Sequence, residues 1–313
     1  MLNSILALSV TQNASDLHLS SGTAPCIRVN GQLQFLSEEK LSPLQLEMEL
    51  FNLLEQSQID TLKQNRQIDF AYHLAELGRF RVNIFYQQRG ISAVFRVINL
   101  RIPTLSQINA PTIFRKLAII ESGIILITGT TGSGKSTTLA SLIQYINSTV
   151  AKHIITLEDP IEYIYQNDKS LIQQCEVANF GSSIDSLLRQ DPDIILLGEL
   201  RNKHSIQAAL TAAETGHLVF ATLHTRSAIQ TINRIIDVFE DSSRGFIRSQ
   251  LSNSLRAVIS QKLVPDNNGR KALFEILINT PAVSNLINEG KTKQIFSLMQ
   301  TGQQYGMQIM EDY

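Results

Sequence analysis

The pattern of apolar and polar residues divides the chain into two parts of different character. In the first part, Phe80, Val82 and Ile84 alternate with polar residues, which is the period of a half-buried strand. The apolar segment ISAVFRVI follows closely, so two adjacent strands are predicted to pair, with one face packed and the other presenting arginines. Asn30-Gly31, between IRV and QLQF, is typical of a tight hairpin turn. This part is therefore predicted to be α+β.

From Gly123 onwards, buried strands are predicted to alternate with helices. The apolar runs are IILIT, HIITL, DIILLG and HLVFATL, and segments of helical character separate them. Such runs predict βαβ units and a mainly parallel sheet. Residues 226–313 are predicted to be mostly helical, with Thr280 as an N-cap and Pro281 as the first residue of one helix.

Two prolines and little periodicity mark residues 99–112 as a linker. The predicted organisation is an N-terminal α+β domain over residues 1–98 and a C-terminal α/β domain over residues 113–313. A length of 313 residues is sufficient for two domains, each with its own core.

The net charge, the cysteines and the length of the apolar runs argue against several kinds of partner and site. With 27 Lys+Arg against 28 Asp+Glu the net charge is −1, so no chain-wide attraction to nucleic acid or anionic lipid is expected. Cys26 and Cys175 form no CxxC pair, which gives little support to a disulfide framework or a zinc site. The apolar runs are far shorter than the roughly 20 residues of a membrane span, so any membrane contact is predicted to be peripheral.

The segment GTTGSGKS at residues 129–136 matches the phosphate-binding pattern GxxxxGK[ST] in full. It follows a predicted strand and precedes a predicted helix, which is the context that the motif requires. Glycines let successive N–H groups turn towards a phosphate, and the helix N-terminus adds positive dipole. ATP and Mg²⁺ are therefore predicted as ligands. The residues predicted to contact ATP are Gly129, Thr130, Thr131, Gly132, Ser133, Gly134, Lys135, Ser136 and Thr137.

Catalytic carboxylates have to come from strands beside this loop. The run DIILLGE ends at Glu199, where a carboxylate at a strand end can reach magnesium or water. A second cluster contains Glu158, Asp159 and Glu162, and Pro160 places these acids on a turn after the strand HIITL. Such a turn can aim a carboxylate at an attacking water. Solvated loop acids fit the same pattern.

Two histidines, His217 and His224, flank the predicted strand LVFATL. An imidazole at the carboxyl end of that strand, where His224 stands, can contact a γ-phosphate and respond to its loss. From the residues alone, a packed or solvated histidine is the simpler interpretation.

Six separated motifs resemble those of the secretion ATPase superfamily, and within it those of the PilT-type ATPases that retract type IV pili. They are ASDLHLS (14–20), RFRVN (79–83), GTTGSGKSTT (129–138), LEDPIEY (157–163), DPDIILLGELR (191–201) and TAAETGHLVFATLHT (211–225). Two C-terminal segments, PAVSNLINEGK and MQTGQQYGMQ, resemble the same branch. The resemblance covers almost the whole chain.

This resemblance implies a homohexameric ring of subunits, each with a PAS-like N-terminal domain and a RecA-like C-terminal domain that bind ATP between them. It implies that Glu162 is the catalytic base, that Glu199 is the Walker B glutamate and that His224 belongs to the His box. Arg81 and Arg96 correspond to arginines that reach the nucleotide. Ser136 and Glu199 are implied to hold Mg²⁺, partly through water, and Glu158 and Asp159 to support the acidic turn.

The implied setting is the cytoplasmic face of the bacterial inner membrane. There the resemblance implies a motor that powers pilus retraction and twitching motility, with an inner-membrane pilus platform protein as its partner. No nucleic-acid partner is implied.

The chain departs from the family pattern in several places, one of which is a shorter loop after Val177. Cys175 stands where relatives usually have arginine, Asn202 replaces a usual aspartate, and two arginines are missing from residues 282–289. Because the last segment is tied to retraction in the family, coupling to a pilus is the part of the interpretation that these changes affect most.

Three other functions remain open from the sequence. The nearest is a pilus assembly or type II secretion ATPase, although such relatives usually add an N-terminal domain and often a tetracysteine zinc module. The second is a RecA-like nucleic-acid motor, which the near-neutral charge disfavours. The third is a nucleotide-binding scaffold with weak turnover.

Overall fold

The chain forms two compact units, Met1–Arg101 and Ile102–Tyr313. The computed structural model describes residues 1–29, 31–74, 77–98, 101–177, 180–266 and 269–310. Each unit is built around its own sheet.

The first unit is an antiparallel sheet with three helices. The helices are α1 (Leu2–Thr11), α2 (Pro43–Phe51) and α3 (Gln56–Asn65). The strands are β1 (Asp16–Ser20), β2 (Cys26–Val29), β3 (Gln32–Phe35), β4 (Gln67–Leu74), β5 (Gly78–Gln87) and β6 (Gly90–Ile98). They lie in the order β3-β2-β1-β6-β5-β4, with antiparallel neighbours throughout.

The core of the first unit lies between the helices and one face of this sheet. Leu6 of α1, Leu50 of α2 and Leu62 of α3 are fully buried in one cluster with Phe80 and Phe95. The two phenylalanine rings meet edge to face, with centroids 6.4 Å apart. Burial of these side chains supplies the main stabilisation of the unit.

The predicted strand pair and the predicted hairpin are both confirmed. Strands β5 and β6 pair along their lengths, and along β5 buried residues such as Phe80 and Val82 alternate with half-exposed residues such as Arg81. Strands β2 and β3 pair antiparallel, with Gly31 at φ +84° in the turn. Asn30, the other residue predicted for this turn, lies outside the described residues.

The second unit contains a seven-stranded sheet. Its strands are β7 (Gly123–Thr128), β8 (His153–Glu158), β9 (Leu171–Glu176), β10 (Ile194–Leu197), β11 (Leu218–Leu223), β12 (Leu255–Asp266) and β13 (Gly269–Ile278). They lie in the order β13-β12-β7-β11-β10-β8-β9, and all neighbours are parallel except β12 and β13. The mainly parallel sheet predicted from the apolar runs is confirmed.

Helices complete the second unit. They are α4 (Ile113–Leu117), α5 (Lys135–Thr149), α6 (Phe180–Leu187), α7 (Lys203–Glu214), α8 (Ala228–Asp237), α9 (Asp241–Ser254), α10 (Pro281–Asn288) and α11 (Ile295–Thr301), with 3₁₀ turns at Thr292–Gln294 and Gln303–Tyr305. In α10, Thr280 caps the helix through its side chain and Pro281 occupies the first turn, as predicted. Within the described ranges, no helix is long and apolar enough to cross a membrane.

Both faces of the second sheet are buried. Ile124 and Leu126 of β7 pack into one cluster, whereas Ile125 and Ile127 pack into a second cluster on the opposite face. This arrangement explains the continuous apolar runs, because a parallel strand covered on both sides has no solvent-facing positions. It also places the carboxyl ends of β7, β8, β10 and β11 along one edge of the sheet, where the connecting loops are free to form a site.

The prediction that residues 226–313 are mostly helical is wrong for β12 and β13. These strands form an antiparallel hairpin, and β12 also pairs with β7. The apolar run of β12, Ala257 to Ile259, is too short to be distinguished from a buried helical segment by periodicity. Pairing with the edge of β7 decides the outcome in favour of a strand.

Leu46 and Leu44 of α2 provide a matched test of the first core. Leu46 is fully buried, whereas Leu44 is 73% exposed in the same helix. Leu46→Ala is expected to lower the free energy of unfolding by about 2–5 kcal/mol, because it leaves a cavity. Leu44→Ala, which makes the same chemical change, is expected to remain within about 0.5 kcal/mol of the parent protein. Urea unfolding of both variants measures the difference, and equal losses would contradict the assigned core.

Candidate functional site

The phosphate-binding motif forms a tight loop between β7 and α5. Gly129 has φ +147°, and a Cβ on this residue would lie 2.4 Å from the carbonyl oxygen of Gln261. Gly132 and Gly134 also have positive φ values, +77° and +89°. The loop therefore follows a path that glycine adopts readily and that other residues adopt only with strain.

Lys135 is folded against this loop. Its Nζ donates hydrogen bonds to the carbonyl oxygens of Gly129, at 2.8 Å, and Thr130, at 3.0 Å. Burial lowers the pKa of Lys135, while the carboxylates of Glu199 and Glu162 act in the opposite direction. A partly desolvated ammonium beside backbone amides is suited to binding an anion.

Hydroxyl groups anchor both ends of the loop. At the end of β7, Thr128 Oγ1 lies 2.8 Å from Ser260 Oγ of β12, and Thr231 Oγ1 of α8 lies 3.5 Å from Thr128 Oγ1. At the start of α5, Thr137 Oγ1 lies 2.8 Å from the hydroxyl of Tyr163, which belongs to the acidic turn. These contacts tie the loop to β12 on one side and to the acidic turn on the other.

The acidic turn follows β8 and is held by Gln174 of β9. The Gln174 side chain donates to the carbonyl oxygen of Tyr163, at 2.7 Å, and to Glu158, at 3.3 Å. It accepts from the backbone N–H of Tyr165 at 3.0 Å. Burial raises the pKa of Glu158, although hydrogen bonds from Thr156 and Gln174 partly compensate. Glu158 is thus held by hydrogen bonds from β8 and β9.

Glu162 has a different environment from Glu158. Its side chain is exposed and lines the cavity beside the loop. A carboxylate in this position has access to solvent, which is what a base acting on water requires.

Glu199 is held from both sides at the end of β10. Its Oε1 lies 3.3 Å from His224 Nε2, and its Oε2 accepts from Arg201 Nε at 2.8 Å. Arg201 Nη1 also lies 3.6 Å from Asp159 Oδ2, and His224 Nδ1 lies 3.5 Å from Thr131 Oγ1. This network connects the ends of three strands with the phosphate-binding loop.

These groups meet in one cavity of about 180 Å³. The predicted residues that line it are Thr131, Gly132, Lys135, Ser136, Glu158, Asp159, Glu162, Glu199 and His224. The other predicted residues of the loop, namely Gly129, Thr130, Ser133, Gly134 and Thr137, lie within or directly beside it in the chain. The structure thus brings the predicted loop and acids together, while their individual roles stay predictions.

Arg81 and Arg96 belong to the first unit. They face each other as direct partners in the β5–β6 pair. Arg96 Nε contacts Asp16 at 2.9 Å, and Arg81 Nε lies 3.7 Å from Asp69. Their predicted placement on neighbouring strands is confirmed, and their action on a nucleotide stays a prediction.

Three residues that contribute to the site were not predicted. Arg201 is two residues beyond Glu199, and this short spacing could have indicated an ion pair between them. Gln174 and Gln261 reach the site from β9 and β12, and no local pattern marks either glutamine.

Fold and site together define a P-loop ATPase, because the glycine loop, its lysine and the strand-end acids meet at the carboxyl edge of a mainly parallel sheet. Residues 1–268 match the family described as type II/IV secretion system protein, and the chain belongs to this family.

Individual relatives are similar over nearly the whole chain. The uncharacterized protein YggR of Escherichia coli (strain K12) is 49% identical over 311 residues, which are 98% of this chain and 94% of YggR. The type IV pilus retractation ATPase PilT of Pseudomonas aeruginosa is 44% identical over 315 residues, covering 99% and 92% of the two chains. A crystal structure of the pilus retraction motor PilT with bound ADP superposes with a TM-score of 0.91 at 41% identity, over 95% of this chain and 89% of the other. The predicted PilT-type resemblance and fold class are confirmed.

The raised pKa of Glu158 predicts a pH-dependent effect of Glu158→Gln. A carboxyl whose folded-state pKa is raised contributes stability below its unfolded pKa, and this contribution is lost as the pH rises through the folded pKa. The glutamine cannot ionise and so does not lose this contribution. The free energy of unfolding of the variant, relative to that of the parent protein, is therefore expected to be higher at pH 8 than at pH 4. Urea unfolding at both pH values measures the gain.

Glu121→Gln, at an exposed position, is the control for this experiment and is expected to show little gain. The burial argument for Glu158 would be refuted if the difference between Glu158→Gln and the parent protein were the same at both pH values.

Proposed function

We propose that this protein is a homohexameric, Mg²⁺-dependent ATPase that powers type IV pilus retraction. The observation that carries the proposal is the meeting of Lys135, Glu162 and Glu199 in one cavity beside a glycine loop. Similarity to a protein described as a pilus retraction motor supports the assignment to that process.

The residues of the loop fit a triphosphate. Gly129 could not carry a side chain without displacing the backbone at Gln261, whereas a Cβ on Gly132 would have open space around it. The helix α5 begins at Lys135, so its N-terminal N–H groups and the ammonium act on the same region. Such a loop provides the close backbone approach that phosphate recognition requires.

Each side chain around the cavity has a proposed task. Lys135 neutralises charge on the β- and γ-phosphates, and Glu162 orients the attacking water and accepts its proton. Glu199 is oriented by its contacts with Arg201 and His224. His224 is also proposed to contact the terminal phosphate and to respond to its loss. Arg81 and Arg96 are proposed to stabilise charge on that phosphate.

Ser136 and Glu199 are proposed to hold Mg²⁺, partly through water. When bound, the ion supplies charge neutralisation at the phosphate oxygens. An oxygen donor set of one hydroxyl and one carboxylate fits this metal, because Mg²⁺ usually completes its shell with water and substrate phosphates.

The proposed setting is the cytoplasmic face of the bacterial inner membrane. The proposed partner is an inner-membrane platform protein at the base of the pilus, which a peripheral hexamer would move by successive turnover. A domain boundary within residues 99–112 is part of the same proposal.

The departures from the family pattern differ in their consequences. Asn202 caps α7, since its side chain accepts from the backbone N–H of Ser205 at 2.9 Å, and an aspartate would do the same. Cys175 is partly buried and packs against the core of the second unit. The contacts described for Asn202 and Cys175 do not involve the phosphate-binding loop. ATP turnover is therefore proposed to be intact in this chain.

Turnover can be tested with three variants and one assay of phosphate release. Lys135→Ala is expected to lose nucleotide binding, because it removes the charge beside the loop. Glu162→Gln and Glu199→Gln are expected to bind ATP but to lower kcat by at least about 100-fold, in the range of lost acid–base catalysis. Lys203→Ala, an exposed helix residue, is the control.

Release of phosphate without added Mg²⁺, or unchanged turnover in Glu162→Gln, would contradict the proposed chemistry. Binding without any turnover by the parent protein would favour a nucleotide-binding scaffold.

Deletion of the gene tests the proposed biological role. A retraction motor opposes assembly, so its loss is expected to increase the number of surface pili and to abolish twitching. Expression of the parent protein should restore the normal number of pili and twitching, whereas expression of the Lys135→Ala variant should restore neither. Loss of pili would instead favour an assembly ATPase, and no change in piliation would contradict a role in pilus dynamics.

A further inference from the structure

Gln261 of β12 lies against the phosphate-binding loop although it is 128 residues away from Ser133 in the chain. Its side chain is 3% exposed, and its Nε2 donates to the carbonyl oxygen of Ser133 at 2.7 Å. A Cβ on Gly134 would lie 3.1 Å from the same Nε2, and one on Gly129 would lie 2.4 Å from the Gln261 carbonyl oxygen. Gln261 therefore contacts the loop through both its side chain and its backbone.

The hydrogen bond at Ser133 fixes the orientation of one peptide group. In a planar trans peptide the N–H points away from the C=O of the same group. When Gln261 holds the Ser133 oxygen towards β12, the N–H of Gly134 is turned away from β12. Lys135 holds the carbonyl oxygens of Gly129 and Thr130 in a similar way. Phosphate is recognised by the N–H groups of the loop. Because each N–H shares a peptide plane with a carbonyl group, a bond that fixes the carbonyl oxygen also fixes the direction of the N–H.

Stability alone does not explain a glutamine at this position. Gln261 Oε1 and the neighbouring Ser133 Oγ are buried and have no hydrogen-bond partner among the described residues. A buried polar atom without a partner costs free energy, which an apolar side chain of similar shape would avoid. Since β12 pairs with both β7 and β13, it provides a rigid support from which the amide can act.

We infer that Gln261 is a positioning residue that sets the orientation of the phosphate-binding loop and thereby the affinity for nucleotide. This inference rests on the proposed ATPase function. Gln261 acts through Ser133 and Gly134 and does not itself take part in the chemical step.

The first test is Gln261→Met, which keeps the length of the side chain and removes its donor. The dissociation constant of a fluorescent ATP analogue is expected to rise about 10-fold, because a loop released from Gln261 would hold its binding-competent orientation only about one-tenth of the time. KM should rise by a similar factor, while kcat should change by less than about 2-fold, because the contact is shared by ground state and transition state.

Gln250→Met is the matched control. Gln250 is a second buried glutamine, 5% exposed, with hydrogen bonds to Glu214 at 2.7 Å and Gln207 at 2.9 Å between α7 and α9. Its substitution should reduce thermal stability without changing the affinity for the ATP analogue. If Gln261→Met changed affinity no more than Gln250→Met, the positioning role would be refuted.

The second test is Gln261→Glu, measured across pH. An ionised carboxylate cannot donate to the Ser133 oxygen, whereas a protonated carboxyl group can. The ratio of the dissociation constants of variant and parent protein is therefore expected to fall as the pH is lowered from 8 to 5.5. At pH 5.5 the protonated carboxyl of Gln261→Glu is expected to bind the analogue more tightly than Gln261→Met, which has no donor. Equal affinities of the two variants at this pH would overturn the inference.

Lys135→Ala separates failure of this inference from failure of the proposed function. If the parent protein does not bind the ATP analogue, or binds it as well after Lys135→Ala, the proposed nucleotide site is wrong. If binding depends on Lys135 but is unaffected in both Gln261 variants, only the role of Gln261 is wrong.

Discussion

The site depends on how the carbonyl oxygens of one glycine loop are held. Oxygens of Gly129 and Thr130 accept from the Lys135 ammonium, and the Ser133 oxygen accepts from Gln261. The positive φ values of the loop glycines allow the chain to turn so that these bonds can form. These bonds fix the peptide planes of the loop, and the surrounding strands are placed to bring acids to the same point.

The acids around the loop occupy two kinds of environment. Glu158 is half-buried, and desolvation raises its pKa, so it fits a structural role in the turn. Glu162 is exposed in the cavity, and Glu199 is fixed between a guanidinium and an imidazole. Carboxylates in contrasting environments can take different tasks within one site. Gln174 and Tyr163 maintain the contrast because they pin the turn to β9 and α5.

Features that depend on neighbouring residues were predicted well. The buried parallel strands, the β5–β6 pair and the phosphate-binding loop each have a pattern contained in a few consecutive residues. Strand β12 was missed because a buried apolar run fits either a helix or a strand, and only its pairing with β7 distinguishes them. Gln261 was missed for the same reason, since its significance comes from a contact with Ser133 across the sheet.

By itself, the sequence determined which chemical groups are present: a glycine loop with Lys135, acids at the ends of apolar runs, and two cores of sufficient size. These properties are local, because backbone freedom, charge and periodicity belong to residues close together in the chain. Only the tertiary structure decided that Arg201 also reaches Asp159, and that β12 supports the loop. Such contacts join residues that are distant in sequence, so they depend on the order and register of strands in the folded sheet.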